Sequence, residues 1–130
     1  AEWGFRGLFP RGTGYYDKSS IKKINSQISQ VWTATLYNEQ GKADAFSILK
    51  RQDKAPDNPD ILYQESTLME FDCANGKFRI TAINIYDEKD NLLLSVPDIN
   101  GNWHDIVPNS INEKLKNIVC NAEDASTKKK

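Results

Sequence analysis

From Gly14 onward, apolar and polar residues alternate with a period of two through much of the chain, the signature of strands with one buried face. In Ile28 to Tyr37, Ile28, Trp32, Ala34 and Leu36 share one face with Gln30, while Ser29, Val31, Thr33, Thr35 and Tyr37 share the other. In Ile61 to Cys73, Tyr63, Thr67, Met69, Phe71 and Cys73 fall on one side, interrupted by Glu65. In Lys77 to Tyr86, Phe78, Ile80, Ala82 and Tyr86 alternate with Arg79, Thr81, Ile83 and Ile85. Asn75-Gly76 stands between the last two runs, a strong hairpin signal, so the two are predicted to pair antiparallel. A charged turn, Asp87 to Asn91, then leads into the apolar run Leu92 to Val96, which predicts a second hairpin. That turn lacks the carboxylate spacing, central Gly and closing Glu of a calcium loop and reads as solvated.

Three stretches depart from the alternation. Gly4, Gly7, Gly12 and Gly14 interleave with Trp3, Phe5, Arg6, Phe9 and Arg11, a composition that disfavours helix. This segment, 1–13, is either an arm carrying the residue types of binding hot spots or a strand whose aromatics complete the core. Asn38 to Ala55 reads as a strand or a short helical turn, followed by a loop fixed by Pro56 and Pro59. Near the end, Ser110-Ile-Asn-Glu113 has capping-box spacing behind Pro108, and Ile111, Leu115, Ile118 and Val119 form an apolar stripe at helical period. The fold class is therefore α+β: an antiparallel sheet of about five or six strands with a C-terminal helix packed on it. Trp32, Phe71, Phe78, Ile80 and Leu115 are the expected core. Residues 14–120 are read as a single domain, and 121–130 as a polar tail expected to be disordered.

Charge excludes some partners. With 17 basic and 18 acidic side chains the net charge is −1, which offers no field for nucleic acid, and none is expected as a ligand. No apolar run approaches a membrane span, so a spanning helix is not expected. The two cysteines, Cys73 and Cys120, lie 47 positions apart; they either bridge the C-terminal half, in an oxidising compartment, or remain two buried thiols. The start at Ala1-Glu2, without Met, matches what remains after a signal peptide is cleaved, and favours export. A bridge requires the helix to end or tighten near Val119, because Cys120 falls on the side opposite Ile111.

Catalytic and metal chemistry find little support. His104, the single histidine, is followed by Asp105, but neighbours on an extended chain point to opposite faces, so Asp105 is poorly placed to orient it. One His and two distant Cys make no recognisable metal site, and no cofactor is expected. Basic and tyrosine residues do cluster: Lys18, Lys22 and Lys23 lie near Tyr15 and Tyr16. Such a surface suits a protein or an acidic polysaccharide, although lysines guarding a strand edge give the same pattern. The candidate binding surface is thus Trp3, Phe5, Arg6, Phe9, Arg11, Tyr15, Tyr16, Lys18, Lys22 and Lys23. An unpaired edge bearing Tyr15 and Tyr16 could also join two copies into a homodimer.

The order of features is specific enough to identify a relationship. Trp3, Tyr15-Tyr16-Asp17, Ser20-Ile21, Val31-Trp32, Glu70-Phe-Asp-Cys73, Arg79, Tyr86-Asp-Glu-Lys89, Trp103-His-Asp-Ile-Val-Pro-Asn-Ser110 and Val119-Cys120 follow one another along nearly the whole chain. This succession resembles the surface-adhesin protein E family of Gram-negative bacteria. The resemblance implies a small antiparallel sheet with a C-terminal helix, a Cys73–Cys120 bridge and a periplasmic or outer-membrane, cell-surface address. It also implies binding of host matrix and plasma proteins, and self-association. The expected function is that of an exported, non-catalytic binding module. A periplasmic carrier of a small apolar ligand and an exported hydrolase using His104 are the alternatives.

Overall fold

The alternating segments pair into one antiparallel sheet in the computed structural model, which describes residues 1–122. Six strands form a continuous path in the order β1 (Trp3–Phe9), β2 (Gly12–Asp17), β4 (Ile28–Tyr37), β5 (Leu62–Asp72), β6 (Lys77–Asp87) and β7 (Leu92–Val96). Two-residue strands add to it: β3 (Lys22–Lys23) on β4 and β8 (His104–Asp105) on β6. Both predicted hairpins form, through Asn75-Gly76 and through Glu88–Asn91. The boundary read at residues 13 and 14 falls inside β2, whose whole length pairs with β1.

Two helices pack on one face. The segment between Asn38 and Ala55 forms α1 (Glu39–Arg51), thirteen residues rather than a strand or short turn. Asn38 caps it, accepting from the Gly41 N–H at 2.9 Å, and Ala45 and Leu49 repeat at i, i+4 toward the sheet. Gly41 obscures this helix in the sequence, yet it is required there: a Cβ would collide with the Arg11 carbonyl oxygen. The second helix, α2 (Ile111–Asn121), starts as its capping signal predicts. Ser110 Oγ accepts from the Glu113 N–H at 3.1 Å, and Glu113 reaches back to the Asn109 N–H at 2.8 Å.

The core consists of two apolar clusters on this face. Under α2, Leu115 and Val119 meet Tyr16, Ile21, Val31, Met69 and Phe71. Under α1, Ala45 and Leu49 meet Leu62 and Ile85. Three details correct the sequence reading. Register pairs Val31 with Met69 and Ser29 with Phe71, so Trp32 belongs to the opposite face and not to the core. An irregularity between Leu62 and Gln64 turns Leu62 inward and leaves Tyr63 47% exposed. A second irregularity, opposite Leu68 and Met69, changes the phase of β6. Ile83 and Ile85 thereby join Phe78 and Ile80 on the helix face, while Ala82 and Tyr86 move to the other.

Cys73 and Cys120 are disulfide-bonded with their Cα atoms 5.8 Å apart. The helix does not end at Val119 to permit this, as expected above, but runs to Asn121. Its buried line is Leu115–Val119, and Cys120 stands one residue, about 100°, round from it, at the flank where Cys73 leaves β5. Among the described residues no helix is long and apolar enough to cross a membrane. The tail read from 121 begins inside α2, and residues 123–130 lie outside the described residues.

Two predictions follow from these fastenings. The bridge closes a separation of 47 residues, so reducing it should lower unfolding free energy by about 4 kcal/mol without abolishing the fold, measured by urea titration with and without reductant. At Gly41, helix propensity alone predicts that Ala would gain about 1 kcal/mol. Collision with the Arg11 backbone predicts the opposite sign, so Gly41→Ala should lower the melting temperature.

Candidate functional site

Among the described residues no helix packs on the face opposite α1 and α2, and its exposed apolar residues are concentrated toward β1. Trp3 and Phe5 share this face with Tyr15, because Trp3 pairs with Asp17 and Phe5 with Tyr15 in register. Leu8, paired with Thr13, follows beyond the bulge between Phe5 and Gly7. The three are 51%, 63% and 72% exposed, a row of large apolar side chains on an edge strand. Phe5 stands edge-on to Tyr15, ring centroids 6.2 Å apart. Trp3, Tyr15, Ala34, Leu36 and Gln64 enclose a depression of about 300 Å³.

Two residues further along β4, the same face opens into a groove of about 570 Å³. Trp32 and Leu68 line it along with Glu70 and Asn84, and Pro97 to Asn100 form its wall. Arg79 closes one rim, its guanidinium 4.5 Å above the Trp103 ring and its Nε 2.9 Å from Glu70 Oε1. All three tryptophans of the chain thus line or border this face. Trp32, Leu68 and Trp103 were not in the candidate binding surface read from sequence, where Trp32 was expected in the core. Their signal was an alternation whose two faces were both partly apolar, and pairing register was needed to tell them apart.

The other sequence-predicted residues are dispersed. Tyr16 is buried in the core at 7% exposure, and it does not reach the surface. The edge is β1 and not the strand bearing Tyr15 and Tyr16, because β2 lies between β1 and β4. Lys18 is on a short 3₁₀ turn, Lys18–Ser20, and Lys22 and Lys23 pair with β4, all three exposed at one end of the sheet. Arg6, Phe9 and Arg11 turn to the helix face.

There they border a polar gap between the two apolar clusters. The buried row Thr33, Thr35, Glu65 and Thr67 crosses the sheet between Val31–Met69 and Ile85, in register pairs Thr33–Thr67 and Thr35–Glu65. Glu65 is fully engaged: Arg11 donates to both its oxygens at 3.0 Å and the Tyr37 hydroxyl donates at 3.1 Å. Burial, reinforced by the Glu65 charge, raises the Tyr37 hydroxyl well above its ordinary pKa, so it stays a donor. Arg6 reaches the gap because a bulge between Phe5 and Gly7 re-aims it; Gly7, at φ +156°, accepts the bulged backbone directly beneath Ile111. Its Nη2 donates to Asn112 Oδ1 at 2.5 Å and its guanidinium lies 4.8 Å from the Phe9 ring centroid. Its Nε–H is buried with no acceptor among the described residues. An N–H left so costs about 1–3 kcal/mol. Burial pushes the Arg6 guanidinium down to about 10, the Glu65 charge opposing it.

Ser110, Asp105 and His104 are the residues nearest to hydrolase chemistry. Ser110 Oγ caps α2, Asp105 Oδ1 pairs with Lys77 Nζ at 2.6 Å, and the His104 ring packs on Phe78 with centroids 5.5 Å apart. Among the described residues, no three His, Cys, Asp or Glu side chains cluster closely enough to hold a metal ion.

Comparison with curated proteins and with solved structures gives no significant match. The family model described as surface-adhesin protein E matches residues 10–121, which covers both helices, the disulfide and every strand except β1. The disulfide-fastened, one-sided sheet is the form this match takes here, and the chain belongs to the surface-adhesin protein E family.

Proposed function

We propose that this chain is an exported, non-catalytic adhesin domain that binds a protein partner through the uncovered face of its sheet, and that the partner is a host matrix or plasma protein. One observation carries this reading: the exposed row Trp3, Phe5 and Leu8 on the edge strand, on the same sheet face as the Trp32–Leu68 groove. An apolar stretch of that extent on a folded monomer marks an interaction surface more often than ordinary surface. Its composition supports a protein ligand, since Trp, Tyr and Arg supply most of the energy in protein interfaces, and Arg79 with Trp103 provides a polar rim. Family membership supports the adhesin role and the surface address. The disulfide supports an oxidising compartment, the periplasm or the outer-membrane surface. The sheet is open, with β1 and β7 at its ends, so the face presents a broad trough instead of the closed cavity that a carrier of small apolar ligands would use.

The test is surface plasmon resonance of the chain over a panel of immobilised extracellular-matrix and plasma proteins. Trp3→Ala and Phe5→Ala should each weaken capture by roughly tenfold or more, as interface hot spots do. Both side chains are exposed, so the melting temperature should change little. Full binding by the double variant would refute the assignment of this face.

A further inference from the structure

We infer that the polar gap between the two apolar clusters is a binding site for a small carboxylate bearing a short apolar chain. The gap encloses about 150 Å³ and is lined by two guanidiniums, Arg6 and Arg11, and one carboxylate, Glu65. Arg11 neutralises Glu65 through two hydrogen bonds. Arg6 is therefore the second cation in a site with one anion, and it has a neutral amide, an aromatic face and a buried N–H without an acceptor for company. A half-buried guanidinium whose Nε–H is fully buried and lacks an acceptor favours a counter-charge beside it.

The lining defines what supplies it. A planar guanidinium matches a carboxylate or another oxyanion in a two-pronged fit. The gap is also lined by apolar Met69, Phe78 and Ile80, which favour a hydrocarbon tail over an oxyanion polar on every side, such as phosphate. At about 30 Å³ per water, the space equals roughly five waters, the size of a ligand of about six heavy atoms. The gap reaches solvent past Arg11, whose side chain is 41% exposed, while Glu65 beneath it is 11% exposed. The site lies on the helix face and is independent of the protein-binding reading of the opposite face.

Sodium butyrate is the probe, titrated into the intact, disulfide-bonded chain and followed by amide chemical shifts. Saturable shifts in the roughly millimolar range, as ligand-efficiency limits set for so small a ligand, should centre on Arg6, Thr67 and Asn112. Butan-1-ol and sodium chloride at matched ionic strength should not reproduce them. Arg6→Gln should weaken binding at least about tenfold. Asn112→Asp tests the same claim without removing the cation. It places a carboxylate where the Asn112 amide now meets Arg6, at the first turn of α2 where a negative charge is favoured, so it should raise the melting temperature and abolish butyrate binding. Unsaturable or scattered shifts in the unaltered chain would overturn the inference. So would butyrate binding retained in Asn112→Asp, or tighter binding of inorganic phosphate than of butyrate.

Discussion

Both helices pack on the same side of a single open sheet, and every other feature of the molecule depends on that one-sidedness. Two fastenings enforce it. The Cys73–Cys120 bond ties the end of α2 to the end of β5, and Gly41 lets the start of α1 press against the Arg11 backbone. With both helices on one side, Met69, Phe71, Leu62 and Ile85 lose their water, while on the other side Trp3 and Phe5 stay largely exposed and Trp32 lines a groove walled by Pro97 to Asn100. Burial of apolar area holds the helix face together at roughly 25 cal/mol per Å². The same term, left unsatisfied on the bare face, is available to a partner.

The helix face is not uniformly apolar, and its interruption has a physical logic. Two helices meeting the sheet at separate clusters leave a strip between them that neither fully covers. Arg6, Phe9 and Arg11 line the gap above that strip and the row within it is buried, so its threonines and carboxylate are tolerated where their polar groups are bonded. Glu65 meets this condition through Arg11 and Tyr37, and Thr33 through the Thr67 carbonyl. Arg6, which borders the row from β1, bonds Asn112 through Nη2 but keeps its Nε–H without an acceptor among the described residues.

Much of this was legible in the sequence, for identifiable reasons. The hairpins were marked by Asn75-Gly76 and the charged turn at Asp87, and α2 by Ser110 and Glu113, all local chemistry that tertiary packing had no cause to override. The C-terminal helix, the sheet and the cysteine pairing were legible with them. What failed were phase assignments. Trp32 was placed in the core because strand β4 carries apolar residues on both faces, and only its register against Met69 and Phe71 shows which face the helices cover. Bulges have no sequence signal of their own here, so the inward turn of Leu62 and the phase change ahead of Ile83 were invisible. Helix α1 was obscured by Gly41, a residue chosen for close approach of a distant backbone. Glu65 did leave a trace, as the one charge interrupting an otherwise apolar face of β5. Its partners Arg11 and Tyr37, 54 and 28 residues away, could come only from the fold.

The claim that the bare sheet face is the working surface is tested most directly by hydroxyl-radical footprinting of the chain alone and saturated with a captured matrix or plasma protein. In the free chain, Trp3 and Phe5 should be oxidised readily and Trp32 more slowly, whereas Tyr16, Met69 and Phe71 stay protected. On binding, protection should appear at Trp3, Phe5 and Trp32 and leave the exposed Val107 and Ile118, on the loop before α2 and on α2 itself, unchanged. Protection falling instead on Val107 and Ile118, with Trp3 and Phe5 still oxidised at the free rate, would contradict the account.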